Sequence, residues 1–338
     1  MGAKEAEGQV SIMGAAGARA FPRAHVASAA ACVLALVLAC ARPPEASQPA
    51  GTSDEAAGYV GDALCWGCHN LEASHWDKTI HARAFKANPR SALESKNCEA
   101  CHGPGRAHVA NPTSATITAF SRDSIQEPAQ MNAMCQQCHT GGPLLHWIGS
   151  VHESRGLACS DCHNPMAKTS AQSLLRAETA NRTCLTCHPA QRADFHKRSH
   201  MPLFEGKIDC TDCHAPHGSA VDPLIKADSV NELCTSCHAE KRGPFLWEHE
   251  PVRENCLNCH LPHGSNHEKL LTTALPMLCQ ECHSPIDNPN YGHPAGLLTA
   301  QNLPGSPNAD DRLMNRSCLN CHTQIHGSNH PSGPRFHR

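Results

Sequence analysis

The motif C-x-x-C-H occurs ten times in this chain of 338 residues and uses twenty of its 22 cysteines. The ten copies begin at Cys65, Cys98, Cys135, Cys159, Cys184, Cys210, Cys234, Cys256, Cys279 and Cys318. The other two cysteines, Cys32 and Cys40, lie near the N-terminus. Random placement of the same residues would give about 0.1 copies, so this repetition constrains the fold more than any other feature.

C-x-x-C-H is the attachment signature of c-type haem. Its two thiols bond to one porphyrin, and the histidine that follows faces the iron as the proximal ligand. Zinc ribbons also pair C-x-x-C but do not require that histidine, and a disulfide framework does not require it either. The sequence therefore predicts ten covalently attached haem c groups.

The predicted cofactor-binding residues are the motif cysteines and histidines. The attachment cysteines are Cys65, Cys68, Cys98, Cys101, Cys135, Cys138, Cys159, Cys162, Cys184, Cys187, Cys210, Cys213, Cys234, Cys237, Cys256, Cys259, Cys279, Cys282, Cys318 and Cys321. The proximal iron ligands are His69, His102, His139, His163, His188, His214, His238, His260, His283 and His322.

The fold class follows from the small number of large aromatic side chains, which are too few for a conventional hydrophobic core. The chain has four Trp, two Tyr and seven Phe against 25 Pro and 23 Gly. Ten haems leave roughly 30 residues for each, which is below the size at which polypeptide alone folds stably. We expect a multihaem cytochrome c in which short α-helices and loops wrap round an elongated haem chain, with little or no β-sheet.

The motifs alternate between two types, so the chain forms five units of two motifs. The first motifs of the units begin at Cys65, Cys135, Cys184, Cys234 and Cys279, and each second motif follows within its unit. Histidines recur after the motifs, and a neutral imidazole is the common sixth ligand of haem iron. These candidate distal ligands are His81, His108, His152, His200, His217, His249, His263, His293 and His326. The spacing does not show which haem each one serves.

Nine recurrent histidines leave one of the ten distal positions to fill. Met166 of unit 2 stands where later units have His217 and His263. The candidates for the tenth ligand are Met166, His146 and His75, and His196 is a weaker choice. A thioether ligand would raise the haem potential. We favour a packing role for Met166 against a porphyrin face, because the two spare histidines are close by.

The N-terminal segment resembles an export signal. Arg19 and Arg23 precede an apolar run that ends at Cys40, a run too short to span a membrane. We expect a signal peptide over 1–40, a disordered tether over 41–58 and the cytochrome domain over 59–338. Cys40 is either the lipidated residue of a lipoprotein or part of a simple cleavage site, and the expected location is the periplasm, associated with the outer membrane.

The charge and the intact motifs indicate an electron carrier rather than an enzyme. A net charge of −3 provides no basic surface for nucleic acid. All ten motifs keep their histidine, and the candidate distal ligands outnumber the vacancies. Catalysis needs an iron with an open distal position, so no catalytic residue is expected. A free periplasmic shuttle, or a multihaem nitrite or hydroxylamine-type oxidoreductase, remains an alternative.

From Tyr59 onward the chain resembles the MtrA/DmsE family of periplasmic decahaem cytochromes. The resemblance is carried by the ten motifs and by "YVGDALCWGCH", "TIHARAF", "CEACHGPGRAH" and "CLNCHTQIHGSNHPSGPRF". It implies a staggered chain of bis-histidine haems inside an outer-membrane β-barrel porin. It also implies electron transfer between a periplasmic or inner-membrane donor and an extracellular multihaem cytochrome, reductase or other acceptor.

Overall fold

The computed structural model describes residues 54, 57–283, 318–320, 322–331, 333 and 336. These residues belong to one compact unit that spans 52–338. The expected signal peptide with Cys32 and Cys40, most of the expected tether, Cys321 and the candidate ligand His293 lie outside the described residues.

The described chain consists of short helices, turns and loops. Its α-helices are α1 (Asp62–Cys68), α2 (Asn70–Trp76), α3 (Ile80–Ala87), α4 (Cys98–His102), α5 (Arg106–Ala110), α6 (Pro128–Gln136), α7 (Val151–Ser154), α8 (Cys159–Cys162), α9 (Ala180–Cys184), α10 (Pro189–Asp194), α11 (Cys210–Cys213), α12 (Val230–Cys237), α13 (Glu250–Glu254) and α14 (Met277–Gln280). Short 3₁₀ turns lie at Glu94–Lys96, Ser114–Thr116, Gly142–Leu144, Ala239–Lys241, Cys256–Asn258, Glu268–Leu270 and Cys318–Asn320.

Extended backbone pairs only at isolated bridges in the described residues, such as Ser199 with Ser265 and Trp247 with Ser328. The expected fold class of short helices and loops without a β-sheet is therefore confirmed. Every helix in the described part of the chain is too short or too polar to cross a membrane.

Each motif forms about one helical turn because of a backbone hydrogen bond across it. The histidine N–H donates to the carbonyl of the first cysteine at 2.9 Å in His69 and His283 and at 3.0 Å in His214. An i to i+4 bond brings the first cysteine, the second cysteine and the histidine to one side of the turn. Polar caps start several of these helices, since Ser229 and Thr179 accept hydrogen bonds from the amides of Glu232 and Arg182.

Asparagines located three residues before a first motif tie the two motifs of a unit together. Asn181 accepts a hydrogen bond from the amide of Cys210 at 2.8 Å and donates to the carbonyl of Ile208 at 3.3 Å. Asn132 and Asn231 accept equivalent bonds from the amides of Cys159 and Cys256, at 2.7 and 2.8 Å. One amide side chain thus anchors the start of each second motif in units 2 to 4.

The described residues bury few large apolar side chains. The buried cluster contains only Leu185, Phe195 and Leu203, and Thr79 is the one described side chain that is fully buried. A conventional domain of this size would have a contiguous core of interlocking side chains. The polypeptide therefore leaves its interior to be filled by something else.

Candidate haem sites

The ten motifs lie next to one another in sequence order. Within each unit the thiols of the two first cysteines lie close enough to interact, in the pairs Cys65–Cys98, Cys135–Cys159, Cys184–Cys210, Cys234–Cys256 and Cys279–Cys318. Between units, the second cysteine of a second motif interacts with that of the next first motif, in the pairs Cys101–Cys138, Cys162–Cys187, Cys213–Cys237 and Cys259–Cys282. The attachment sites therefore form one uninterrupted series.

Motif histidines face recurrent histidines across a nearly constant gap. The ring centres lie 5.9 to 6.2 Å apart in seven pairs, which are His69–His108, His81–His139, His152–His188, His163–His217, His214–His263, His249–His283 and His260–His326. Two imidazole nitrogens that each lie about 2 Å from one metal ion put their ring centres about 6 Å apart. The spacing is that of two axial ligands on opposite sides of one iron.

The pairs follow a rule that crosses the boundaries between units. The histidine of a first motif faces the recurrent histidine of the preceding unit, as in His139 with His81 and His188 with His152. The histidine of a second motif faces the one in the following unit, as in His163 with His217. His69 belongs to the first of the five units and faces His108 of that same unit. Neighbouring units therefore complete one another's sites.

Backbone carbonyls orient the second-motif histidines through the other ring nitrogen. In four such residues Nδ1 lies 2.7 to 2.9 Å from a carbonyl oxygen of the loop that follows, in the pairs His102–Thr118, His163–Ser173, His214–Pro223 and His260–Lys269. A donating Nδ1–H leaves Nε2 free to bind a metal. Sequence reasoning missed these carbonyls, because a backbone acceptor has no residue signature and lies 9 to 16 positions after its histidine.

Burial favours the neutral form of five recurrent histidines, and the neutral form is the one that binds iron. Burial is the main cause of a lowered pKa, followed by the facing imidazole, in His81, His217, His249 and His263. Burial also lowers the pKa of His326 to about 4, with the nearby charge of Lys241 as the second cause. In the thiols burial acts in the opposite direction, and it raises the pKa of Cys98 to about 12.

Four candidate ligands do not form such a pair in the structure. His200 donates from Nδ1 to the carbonyl of Lys197 at 2.7 Å and lies 3.2 Å from Glu205 through Nε2, so the structure does not bring it to His238. The side chains of His75 and His146 are exposed, and Met166 is half-buried. The closest ring to His102 is Phe120, at 5.3 Å.

Haem c fits the groups that the chain presents. Paired thiols and neutral imidazoles at two-ligand spacing match its covalent and axial bonds. Large apolar side chains beside the sites also lack a protein partner, since Ile80 next to His81 is 61% exposed and Val151 next to His152 is 47% exposed. A flat apolar macrocycle would cover such side chains. When bound, haem c supplies reversible one-electron chemistry at its iron.

Comparison with known proteins agrees with this chemistry. The family model described as "Doubled CXXCH motif" matches residues 152–193, 200–243 and 249–288. The chain is 40% identical over 277 residues, which cover 81% of this chain and 80% of the relative, to the multiheme cytochrome MtrA of Shewanella baltica (strain OS185). The resemblance inferred from the motifs is confirmed: this chain belongs to the MtrA family of multihaem cytochromes, which bind haem c covalently and transfer electrons through it.

Proposed function

We propose that this protein binds ten haems c and conducts electrons along them between the periplasm and an acceptor or donor at the outer membrane or outside the cell. The contact of successive motifs in sequence order supports the proposal most directly. Because the helices that carry successive motifs contact each other, the macrocycles bonded to those motifs are also neighbours. An electron can therefore pass from one end of the series to the other without a diffusing carrier.

The rule for the ligands extends to the sites that lack an observed pair. Unit 3 supplies His200 to His238 of unit 4, as unit 2 supplies His152 to His188. The matched segment 200–243 contains both His200 and His238, just as the segment 152–193 contains His152 and His188. His322 belongs to the last of the five units, and His293 is the recurrent histidine left to serve it.

The proposed location and partners follow from the leader and from the family resemblance. Residues 1–40 act as an export signal, 41–58 as a tether and 59–338 as the cytochrome domain, with Cys40 either lipidated or part of the cleavage site. An outer-membrane β-barrel porin encloses the cytochrome. It receives electrons from, or passes them to, a periplasmic or inner-membrane protein on one side and an extracellular multihaem cytochrome or reductase on the other.

Ionised propionates make this conductor strongly acidic. Each ferric haem with two imidazole ligands and two propionates adds a net charge of about −1, and the mature holoprotein reaches roughly −14. Basic patches on the partners would then guide association and make its rate sensitive to salt. The protein acts as a carrier without a substrate site.

The decisive experiment uses the mature holoprotein from outer membranes. Intact-mass analysis should give ten haems per chain, and affinity purification should recover a β-barrel partner. The complex, reconstituted in liposomes that contain an electron acceptor, should reduce that acceptor after addition of an external donor. Soluble protein without a barrel partner would instead favour a free periplasmic shuttle, and a haem count other than ten would refute the ten-haem conductor.

A further inference from the structure

The pairing rule assigns one distal position to a residue that is not histidine. His163, His214 and His260 each face an imidazole from the loop after the second motif of the following unit. Applied to unit 1, the same rule makes the partner of His102 the equivalent residue of unit 2. That residue is Met166, three positions after His163, as His217 is three positions after His214.

Met166 lies in a loop built like those that present the paired imidazoles. The amide of Asn164 donates to the carbonyl of Leu174 at 2.6 Å, and His163 is 2.7 Å from the carbonyl of Ser173. In unit 3 the amide of Ala215 donates to the carbonyl of Leu224 at 2.8 Å in the same way. The loop of unit 2 therefore follows the usual course and presents a thioether where the others present a ring.

The residue after Met166 also departs from the pattern. Its equivalents Gly218 and Gly264 have positive φ angles of 112° and 156°, and an added Cβ would collide with the carbonyl oxygens of His146 and Asp194 in the preceding units. Unit 2 has Ala167 there, and its φ is not positive. Its Cβ prevents an equally close approach to unit 1. Methionine has a longer and more flexible side chain than histidine, so the two substitutions compensate for each other.

The competing histidines are less well placed. The side chains of His75 and His146 are both exposed, and the backbone of His146 is held against Gly218 in the contact between units 2 and 3. His102 donates from Nδ1 to the carbonyl of Thr118 at 2.8 Å, which leaves Nε2 for the iron. The opposite axial position is the one that the pairing rule assigns to Met166.

We propose that the thioether sulfur of Met166 is the distal ligand of the haem attached at Cys98 and Cys101, opposite His102. The inference rests on the ten-haem function proposed above, and it replaces the packing role that the sequence alone favoured. Thioether ligation raises the haem potential relative to two imidazoles. The second site of the series is therefore reduced before the bis-histidine sites and holds an electron near the N-terminal end of the conductor.

The test is spectroscopy and redox titration of the oxidised holoprotein and its Met166→Leu and Met166→His variants, with Met277→Leu as the control. Met277 is 55% exposed, so its replacement should change neither the absorption spectrum nor the redox titration. Wild-type protein should show the charge-transfer band of methionine-ligated ferric haem and one component of ten with a raised potential. Met166→Leu should abolish both the charge-transfer band and the component with the raised potential, and it should turn one haem high-spin. Met166→His should keep every haem low-spin while lowering that single potential.

Two results would overturn the proposal without affecting the conductor itself. One is a count of ten haems by mass with no methionine band and with a titration that Met166→Leu leaves unchanged. The other is an unchanged Met166→Leu spectrum together with a new high-spin signal in His75→Ala or His146→Ala. A count other than ten would refute the proposed function instead. If Met166→Leu does not fold, the wild-type spectrum and Met166→His still decide the ligand.

Discussion

The second-motif histidines of this protein use both ring nitrogens. Nδ1 of His163, His214 and His260 meets a carbonyl of the chain's own loop, at 2.7, 2.9 and 2.8 Å. The carbonyl fixes the tautomer and the ring plane, and Nε2 then points to the metal position. A residue from another unit completes the site. In each such site the proximal histidine and the carbonyl that orients it are thus close in sequence, whereas the distal residue comes from another unit.

A substitution in a distal residue that follows a second motif should therefore leave its own unit intact and damage the unit before it. In His217→Ala we expect the haem next to His163, in unit 2, to become high-spin, because its distal imidazole is lost. The motif at Cys210, in the same unit as His217, should remain low-spin. Electron paramagnetic resonance of the oxidised protein measures the change, with one haem of ten affected.

His196→Ala is the matched control for that variant. His196 is exposed and stacks on Phe204 at 4.5 Å, so its removal should produce no high-spin signal. A high-spin signal in His196→Ala, or none in His217→Ala, would contradict the pairing. The pairing would also be contradicted if the high-spin signal of His217→Ala disappeared when the motif at Cys210 was removed, because the affected haem would then belong to unit 3.

Loop segments of neighbouring units are joined by close backbone contacts. Ser199 and Ser265 exchange two backbone hydrogen bonds, at 2.9 and 2.7 Å, next to the point where Gly264 meets the carbonyl of Asp194. Trp247 and Ser328 exchange an equivalent pair at 2.9 Å. These contacts position each recurrent histidine against the motif of the neighbouring unit. The helices are too short to be stable alone, so this docking is what defines the register.

Gly264→Ala should weaken the contact between units 3 and 4. The added Cβ would collide with the Asp194 carbonyl, and φ is 156°, so we expect a loss of about 2–3 kcal/mol. Denaturation followed by the Soret band and by circular dichroism measures it as a lower midpoint. Gly141→Ala is the control, because nothing lies within 4 Å of its Cβ position and its φ is not positive. Equal midpoints for the two variants would show that the close approach is unimportant.

Sequence reasoning predicted the local half of this architecture but not its connections. The ten motifs predict the proximal residues directly, since attachment and ligation fall within five consecutive positions. The recurrence of His152, His217 and His263 predicts that they are distal ligands. The spacing does not show which motif histidine each of them faces. His108 faces His69 in its own unit whereas His217 faces His163 in another. That difference is a property of how the units dock rather than of any local pattern.

At the scale of the whole molecule, the first of the five units differs from the units between the ends. Unit 4 brings His263 to His214 of the unit before it and His249 to His283 of the unit after it, whereas His108 of unit 1 faces His69 of the same unit. We expect His293 to do the same for His322 at the other end. Electron entry and exit should therefore occur at sites whose ligands come from a single unit. Each site between the ends takes its two ligands from two units, so it is complete only when those units are docked.

Without its haems the protein should not fold. The described residues contain a small buried cluster of Leu185, Phe195 and Leu203, and no helix there exceeds the nine residues of α6. So little burial cannot offset the entropy of ordering the chain. Protein produced without haem attachment should therefore lack helical circular dichroism and be digested rapidly by protease, whereas the holoprotein resists. The mature sequence with every motif cysteine replaced by alanine should behave like the haem-free chain. A native-like spectrum from either would mean that the polypeptide supplies its own core.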